Sequence, residues 1–94
     1  MSYRLKFKSK ALKEWKKLDR PIQQQFKKKL LERLGDPRLE SARFSGLPDC
    51  YKIKLRAVGY RLVYEVRDSE VTVVVISVGK RDKILVYQVA ARRI

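Results

Sequence analysis

Residues 71–78 read VTVVVISV, an apolar run with no polar face. Successive side chains of a strand point to opposite sides of the sheet. A run apolar on both faces therefore belongs at the centre of a sheet that is covered on each side. Everything else in the chain has to supply neighbours for that strand or layers over it.

The neighbours are legible on either side. Residues 50–56 and 60–67 alternate, with Tyr51, Ile53 and Leu55 against Lys52, Lys54 and Arg56, then Tyr60, Leu62, Tyr64 and Val66 against Arg61, Val63 and Glu65. Residues 3–8, YRLKFK, alternate in the same way and predict a first strand. Asp68-Ser69 predicts a tight turn into the central strand, here placed at 70–78, and Gly79 marks its end. The layers come from residues 9–35. Leu12, Trp15 and Leu18 form one helical stripe, with Ser9 placed to cap it. Ile22, Phe26, Leu30 and Leu34 form a second, with Pro21 suited to its first turn and Gly35-Asp36-Pro37 as its stop. Residues 36–49 read as a long connection. A last helix is expected over KILVYQVAARRI, 83–94, capped by Asp82. The expectation is one α+β domain over 1–94. Its small antiparallel β-sheet is flanked by an N-terminal helical hairpin and a C-terminal helix, in the order β-α-α-β-β-β-α.

Register sharpens this picture. For strands 50–56 and 60–67 to share an apolar face, odd positions of the first must sit opposite even positions of the second. The tightest pairing puts Lys54 opposite Arg61 and Lys52 opposite Val63; a bulge at Gly59 would shift it. Like charges directly across a sheet are destabilising, so an anionic ligand is a better explanation of Lys54 and Arg61 than stability is. A solvated basic face is the plain alternative. Extending the register through Asp68-Ser69 puts Val74 opposite Val63 and Ile76 opposite Arg61. Val63, Val74, Ile76 and Val78 then make an apolar strip beside the cations. The C-terminal helix is the element expected to cover it, bringing Tyr87 towards Arg61, while Lys80 and Arg81 stand at the mouth of the same region.

Composition says what such a face meets. Lys and Arg number 24 against 10 Asp and Glu, a net charge of +14. Counterion release drives a surface of that kind onto nucleic-acid phosphate. One cysteine, Cys50, provides neither a disulfide framework nor a cysteine metal cluster, and the acids show no two-metal spacing. Nothing resembles a signal peptide or the roughly 20 apolar residues of a membrane span, so a cytoplasmic protein is expected. There is no histidine, and acid–base work falls to Lys, Arg, Tyr, Asp or Glu. Lys52, Lys54, Arg61, Arg81 and Tyr87 suit metal-independent RNA cleavage, in which the substrate's own 2′-OH attacks phosphorus and the protein orients it and neutralises charge. They equally suit a non-catalytic RNA-binding module.

GLPDCYKIKLR at 46–56, GYRLVYEV at 59–66, VISVGKRD at 75–82, VY at 86–87 and ALKEWKKL at 11–18 together resemble the RelE family of bacterial toxin–antitoxin toxins, within the RelE/ParE superfamily. The resemblance implies a ribosome-dependent mRNA endonuclease that cuts the codon in the A site of the 70S ribosome. It requires neither metal nor cofactor, and leaves a 2′,3′-cyclic phosphate and a 5′-hydroxyl. It implies proton removal and phosphorane stabilisation by Lys52 and Lys54, and a hold on the scissile phosphate by Arg61 and Arg81. Tyr87 would orient or stack on the codon. It further implies contacts to ribosomal RNA by Lys13, Lys16, Lys17, Lys27, Lys28, Lys29 and Lys80. A cognate RelB-like antitoxin is implied as partner, with operator DNA bound only through the toxin–antitoxin complex. A ParE-like toxin acting on gyrase is the competing reading within the superfamily.

Overall fold

The computed structural model describes residues 2–44, 46–80 and 91–92. Its elements run β1 (Arg4–Phe7), α1 (Ser9–Lys16), α2 (Arg20–Gly35), a 3₁₀ turn (Glu40–Ala42), β2 (Cys50–Leu55), β3 (Tyr60–Arg67), a second 3₁₀ turn (Asp68–Glu70) and β4 (Thr72–Lys80). The C-terminal helix expected over 83–94 and its Asp82 cap lie outside the described residues, apart from Ala91 and Arg92, which are helical and exposed.

The sheet order is β1-β4-β3-β2, so the VTVVVISV strand lies inside the sheet as its pattern requires. Three of the strands pair antiparallel, and β1 joins β4 parallel, which makes the sheet mixed. A parallel partner needs a long crossover, and the helical hairpin with β2 and β3 supplies one. The main core lies between one face of the sheet and the two helices. Ile22, Phe26, Leu30 and Leu34 of α2 meet Tyr51, Ile53, Leu55, Leu62 and Tyr64 there.

Helix α1 packs by a different stripe from the one expected. Ala11 is fully buried while Leu12 is 37% exposed. The contact line is Ala11, Trp15 and Leu18, four and then three residues apart. A small residue at position 11 lets the helix approach the sheet closely, and Trp15 then packs between Phe7 and Phe26 at ring-centroid distances of 5.3 and 6.2 Å. Lys8, not Ser9, is the N-cap, and no side chain caps the helix. Pro21 does sit in the first turn of α2.

The approach to β4 corrects the expected register. The connection after β3 takes in the 3₁₀ turn and Val71, a β-branched residue in the left-handed region at φ 50°. The ladder therefore starts at Arg67 opposite Thr72, and it shifts again between Val63 and Tyr64. Val63 faces Ser77 and Arg61 faces Gly79, in place of Val74 and Ile76. Ile76 falls at the irregularity, which reverses the facing of the residues beyond it. Val78 turns into the main core instead of joining Val74 and Ile76. Gly79 does not end the strand, which continues to Lys80. By contrast β2 and β3 pair without interruption, and no bulge forms at Gly59.

A polar brace ties the far ends of these elements together. Arg38 reaches Asp68 at 2.7 Å and Asp49 at 3.0 Å, and the Tyr3 hydroxyl donates to Asp68 at 2.6 Å. The Arg38 guanidinium, then Tyr3, hold the Asp68 carboxyl below its ordinary value of 3.8. A carboxyl depressed in the folded state contributes stability that is complete above its unfolded value and is lost as pH falls through the folded one. Asp68→Asn is therefore expected to lower Tm at neutral pH and to lose that deficit below about pH 3.8, where wild type and variant converge. Thermal melts across the acid range check this.

Candidate nucleic-acid interface

The face of the sheet turned away from the helices carries two neighbouring patches. One is a small apolar cluster of Cys50, Val63, Val74 and Ile76, against which Phe44 and Leu47 of the connection before β2 pack. The connection thus covers part of the strip for which only the C-terminal helix was expected. Burial, reinforced by Glu65 and Asp49, pushes the Cys50 thiol up to about 12. It is an inert core thiol.

The other patch is basic. Lys52 stands opposite Val63 and Lys54 opposite Arg61, in the pairing that the alternation predicts, and all three cations are half-buried. Alternation within each strand puts their side chains on one face. The Lys54 ammonium is held below its ordinary value of 10.5 by Lys52 first, then by partial burial, Arg61 and Arg56. Arg61 has Gly79 as its other cross-strand neighbour, a residue with no side chain. Neither Lys54 nor Arg61 makes an ion pair among the described residues. Two adjacent cations, one with a depressed pKa, suit the binding of a phosphate and the handling of a proton beside it.

Sequence reasoning missed three cations that stand close by. Arg33, Arg43 and Arg56 line a pocket along the outer edge of β2 together with Lys52 and Lys54. Arg33 follows Leu30 and Phe26 by three and seven residues on α2, so it borders the apolar stripe and curls around the sheet edge. Its spacing was the available signal. Nη1 of Arg33 donates to the Tyr64 hydroxyl at 2.9 Å and to the Lys52 carbonyl at 3.5 Å, and the guanidinium stands 5.9 Å from the Tyr64 ring centroid. Tyr64 in turn donates to the Pro37 carbonyl at 2.7 Å and stacks on Tyr51.

The other expected residues fall elsewhere. Arg81 and Tyr87 lie outside the described residues. Lys80 is exposed and pairs with Tyr60, which puts it on the face opposite to Arg61. Lys13, Lys16, Lys17, Lys27, Lys28 and Lys29 are exposed on the helical layer, separated by the sheet from Lys54 and Arg61. Among the described residues no cluster of His, Cys, Asp or Glu is arranged to hold a metal ion, and no helix is long and apolar enough to cross a membrane.

Comparison with known proteins agrees with this architecture. Residues 5–85 match the family model of the ParE toxin of type II toxin–antitoxin systems. The chain is 56% identical to the mRNA interferase toxin RelE of Escherichia coli K12 over 94 residues, covering all of this chain and 99% of the relative. A mutant E. coli toxin RelE in the free state superposes with a TM-score of 0.94 at 55% identity, covering 100% of this chain and 99% of that one. RelE from the intact E. coli RelBE toxin–antitoxin complex superposes with a TM-score of 0.82 at 58% identity, over 84% of this chain and 96% of that one. With the α+β fold and the paired Lys54 and Arg61 in hand, the chain belongs to the RelE family of toxins within the ParE toxin family of type II toxin–antitoxin systems.

Proposed function

We propose that the chain is an mRNA interferase, the toxin of a type II toxin–antitoxin system, which enters the ribosomal A site in the bacterial cytoplasm and cuts the codon there. The observation that carries this reading is the juxtaposition of Lys54 and Arg61 across β2 and β3, beside Lys52, on a chain 56% identical to a named mRNA interferase. RNA brings its own nucleophile. The protein has to align the 2′-OH with phosphorus, accept its proton, stabilise the crowded phosphorane and help the 5′-oxygen leave. The bond from 2′-oxygen to phosphorus forms as the bond to the 5′-oxygen breaks, giving a 2′,3′-cyclic phosphate and a 5′-hydroxyl.

In this reading Arg61 clamps the scissile phosphate and Lys52 stabilises the phosphorane. Lys54, whose proton is already loosened by its neighbours, takes part in removing the 2′-OH proton. Arg81 assists at the phosphate and the leaving oxygen, and Tyr87 orients the codon. With no histidine in the chain, positioning and charge carry more of the rate than matched acid–base chemistry does. The lysines of α1 and α2 contact ribosomal RNA. An antitoxin resembling RelB silences the toxin, and operator DNA is met through that complex.

The test is to add the protein to ribosomes programmed with a defined mRNA and to map 5′ ends. A cut within the A-site codon is expected. Arg81→Ala should abolish cutting and keep ribosome affinity. Intact mRNA with wild-type protein would sink the proposal, and gyrase-linked DNA breaks in its place would move the chain to a ParE-like activity.

A further inference from the structure

The pocket on the outer edge of β2 has a volume of about 290 Å³, with Arg33, Ser41, Arg43, Lys52, Lys54 and Arg56 among its lining residues and no carboxylate among the described ones. A single water needs only about 10–15 Å³ of such space, so there is ample room for a phosphodiester. Its cations are not all loose. Arg33 is fixed by the Tyr64 hydroxyl, the Tyr64 ring and the Lys52 carbonyl, and both hydrogen bonds use Nη1. Nε and Nη2 keep their donors for a ligand, in the planar fork that matches phosphate oxygens. Arg43 has Glu40 at 3.5 Å, an exposed pair three residues apart that competes weakly.

Lys52 and Lys54 belong to this pocket and also to the face that carries Arg61. Adjacent strands lie about 4.8 Å apart. A ribonucleotide chain held by Arg61 and Lys54 and running outwards over β2 therefore reaches Arg33 and Arg43 next. We infer that this pocket is a second phosphate seat, holding the mRNA backbone phosphate next to the scissile one, with Arg33 and Arg43 as positioning residues. The inference rests on the interferase reading and adds a subsite to it.

Arg43→Met is the main probe, because Arg43 is exposed and its loss leaves the core intact. Arg33→Met and Arg33→Lys accompany it, with melting curves to confirm folding. On programmed ribosomes the concentration of Arg43→Met needed for half-maximal cleavage should rise about tenfold, with the saturated single-turnover rate within about twofold of wild type. Replacing mRNA phosphates one at a time by uncharged methylphosphonates should reveal one neighbouring position that weakens wild type and costs Arg43→Met nothing further. Binding of a short single-stranded RNA should lose about 0.7 from the slope of log K against log salt. An unchanged half-maximal concentration and salt slope in Arg43→Met would overturn the inference. So would a raised concentration with every methylphosphonate silent, which would give the seat to ribosomal RNA. Wild type that cuts nothing defeats the interferase reading instead, and the seat is then decided by the salt slope alone.

Discussion

Arg61→Ala is expected to slow single-turnover cleavage of an A-site codon by about 10²–10³-fold, the usual cost of removing one preorganised donor from a developing oxyanion. The loss should come without a loss of fold. Arg61 stands across from Lys54, and like charges in that relation oppose folding, so Tm should hold or rise slightly. The variant carries a second signature. Arg61 is one of the causes that depress the Lys54 ammonium, after Lys52 and burial. Removing it lets the Lys54 pKa climb, and the rise of residual rate with pH should move to higher pH. Lys54→Arg keeps the charge but holds its proton throughout, and should abolish that dependence. A rate profile of the two variants against wild type, taken with melting curves, separates a functional cation from a structural one.

The largest effect on stability is expected at Phe26→Ala. Phe26 is fully buried under the sheet and packs on Trp15 at 6.2 Å, which in turn packs on Phe7. Truncating a buried Phe costs about 3–5 kcal/mol once the cavity is included. A domain of this size holds about 5–15 kcal/mol in total. Each kcal/mol moves Tm by about 4–8 °C, so a drop of about 12–40 °C is expected. Trp15, the one tryptophan of the chain, sits in contact with the cavity, and its fluorescence during urea unfolding gives the same quantity independently.

The contrast between these two sites shows what kind of information a sequence pattern carries. The β2–β3 register was readable because both strands alternate, and a strand with one apolar face has a phase. Lys54 opposite Arg61 came from matching those phases. The central strand has no phase, since Val73, Val74, Val75 and Ile76 are all buried. Neither the length of the turn through Val71 nor the irregularity between Val63 and Tyr64 leaves a trace in such a run. For that reason Ser77 and Gly79, not Val74 and Ile76, turned out to face Val63 and Arg61. On α1 the stripe was read through Leu12, the larger side chain, while the closeness of helix to sheet favours Ala11. Phe44 and Leu47 lie in an irregular segment with no period to betray a buried side, and their cover of the second apolar cluster was therefore invisible. Arg33 reads as a helix surface cation until the sheet edge and Tyr64 are in place around it. Catalytic geometry was most legible where it coincided with strand periodicity, and least where it depended on loops.

The most direct measurement replaces a single 2′-OH. Ribosomes programmed with an mRNA whose A-site codon carries 2′-deoxynucleotides, one position at a time, are mixed with the wild-type chain, and the ends of the products are analysed. Cleavage of the all-ribose codon to a 2′,3′-cyclic phosphate and a 5′-hydroxyl is expected. One position in the codon should exist at which the 2′-deoxy substitution abolishes the cut. Cleavage that survives every 2′-deoxy substitution, or products ending in a 5′-phosphate, would contradict attack by the substrate's own 2′-OH.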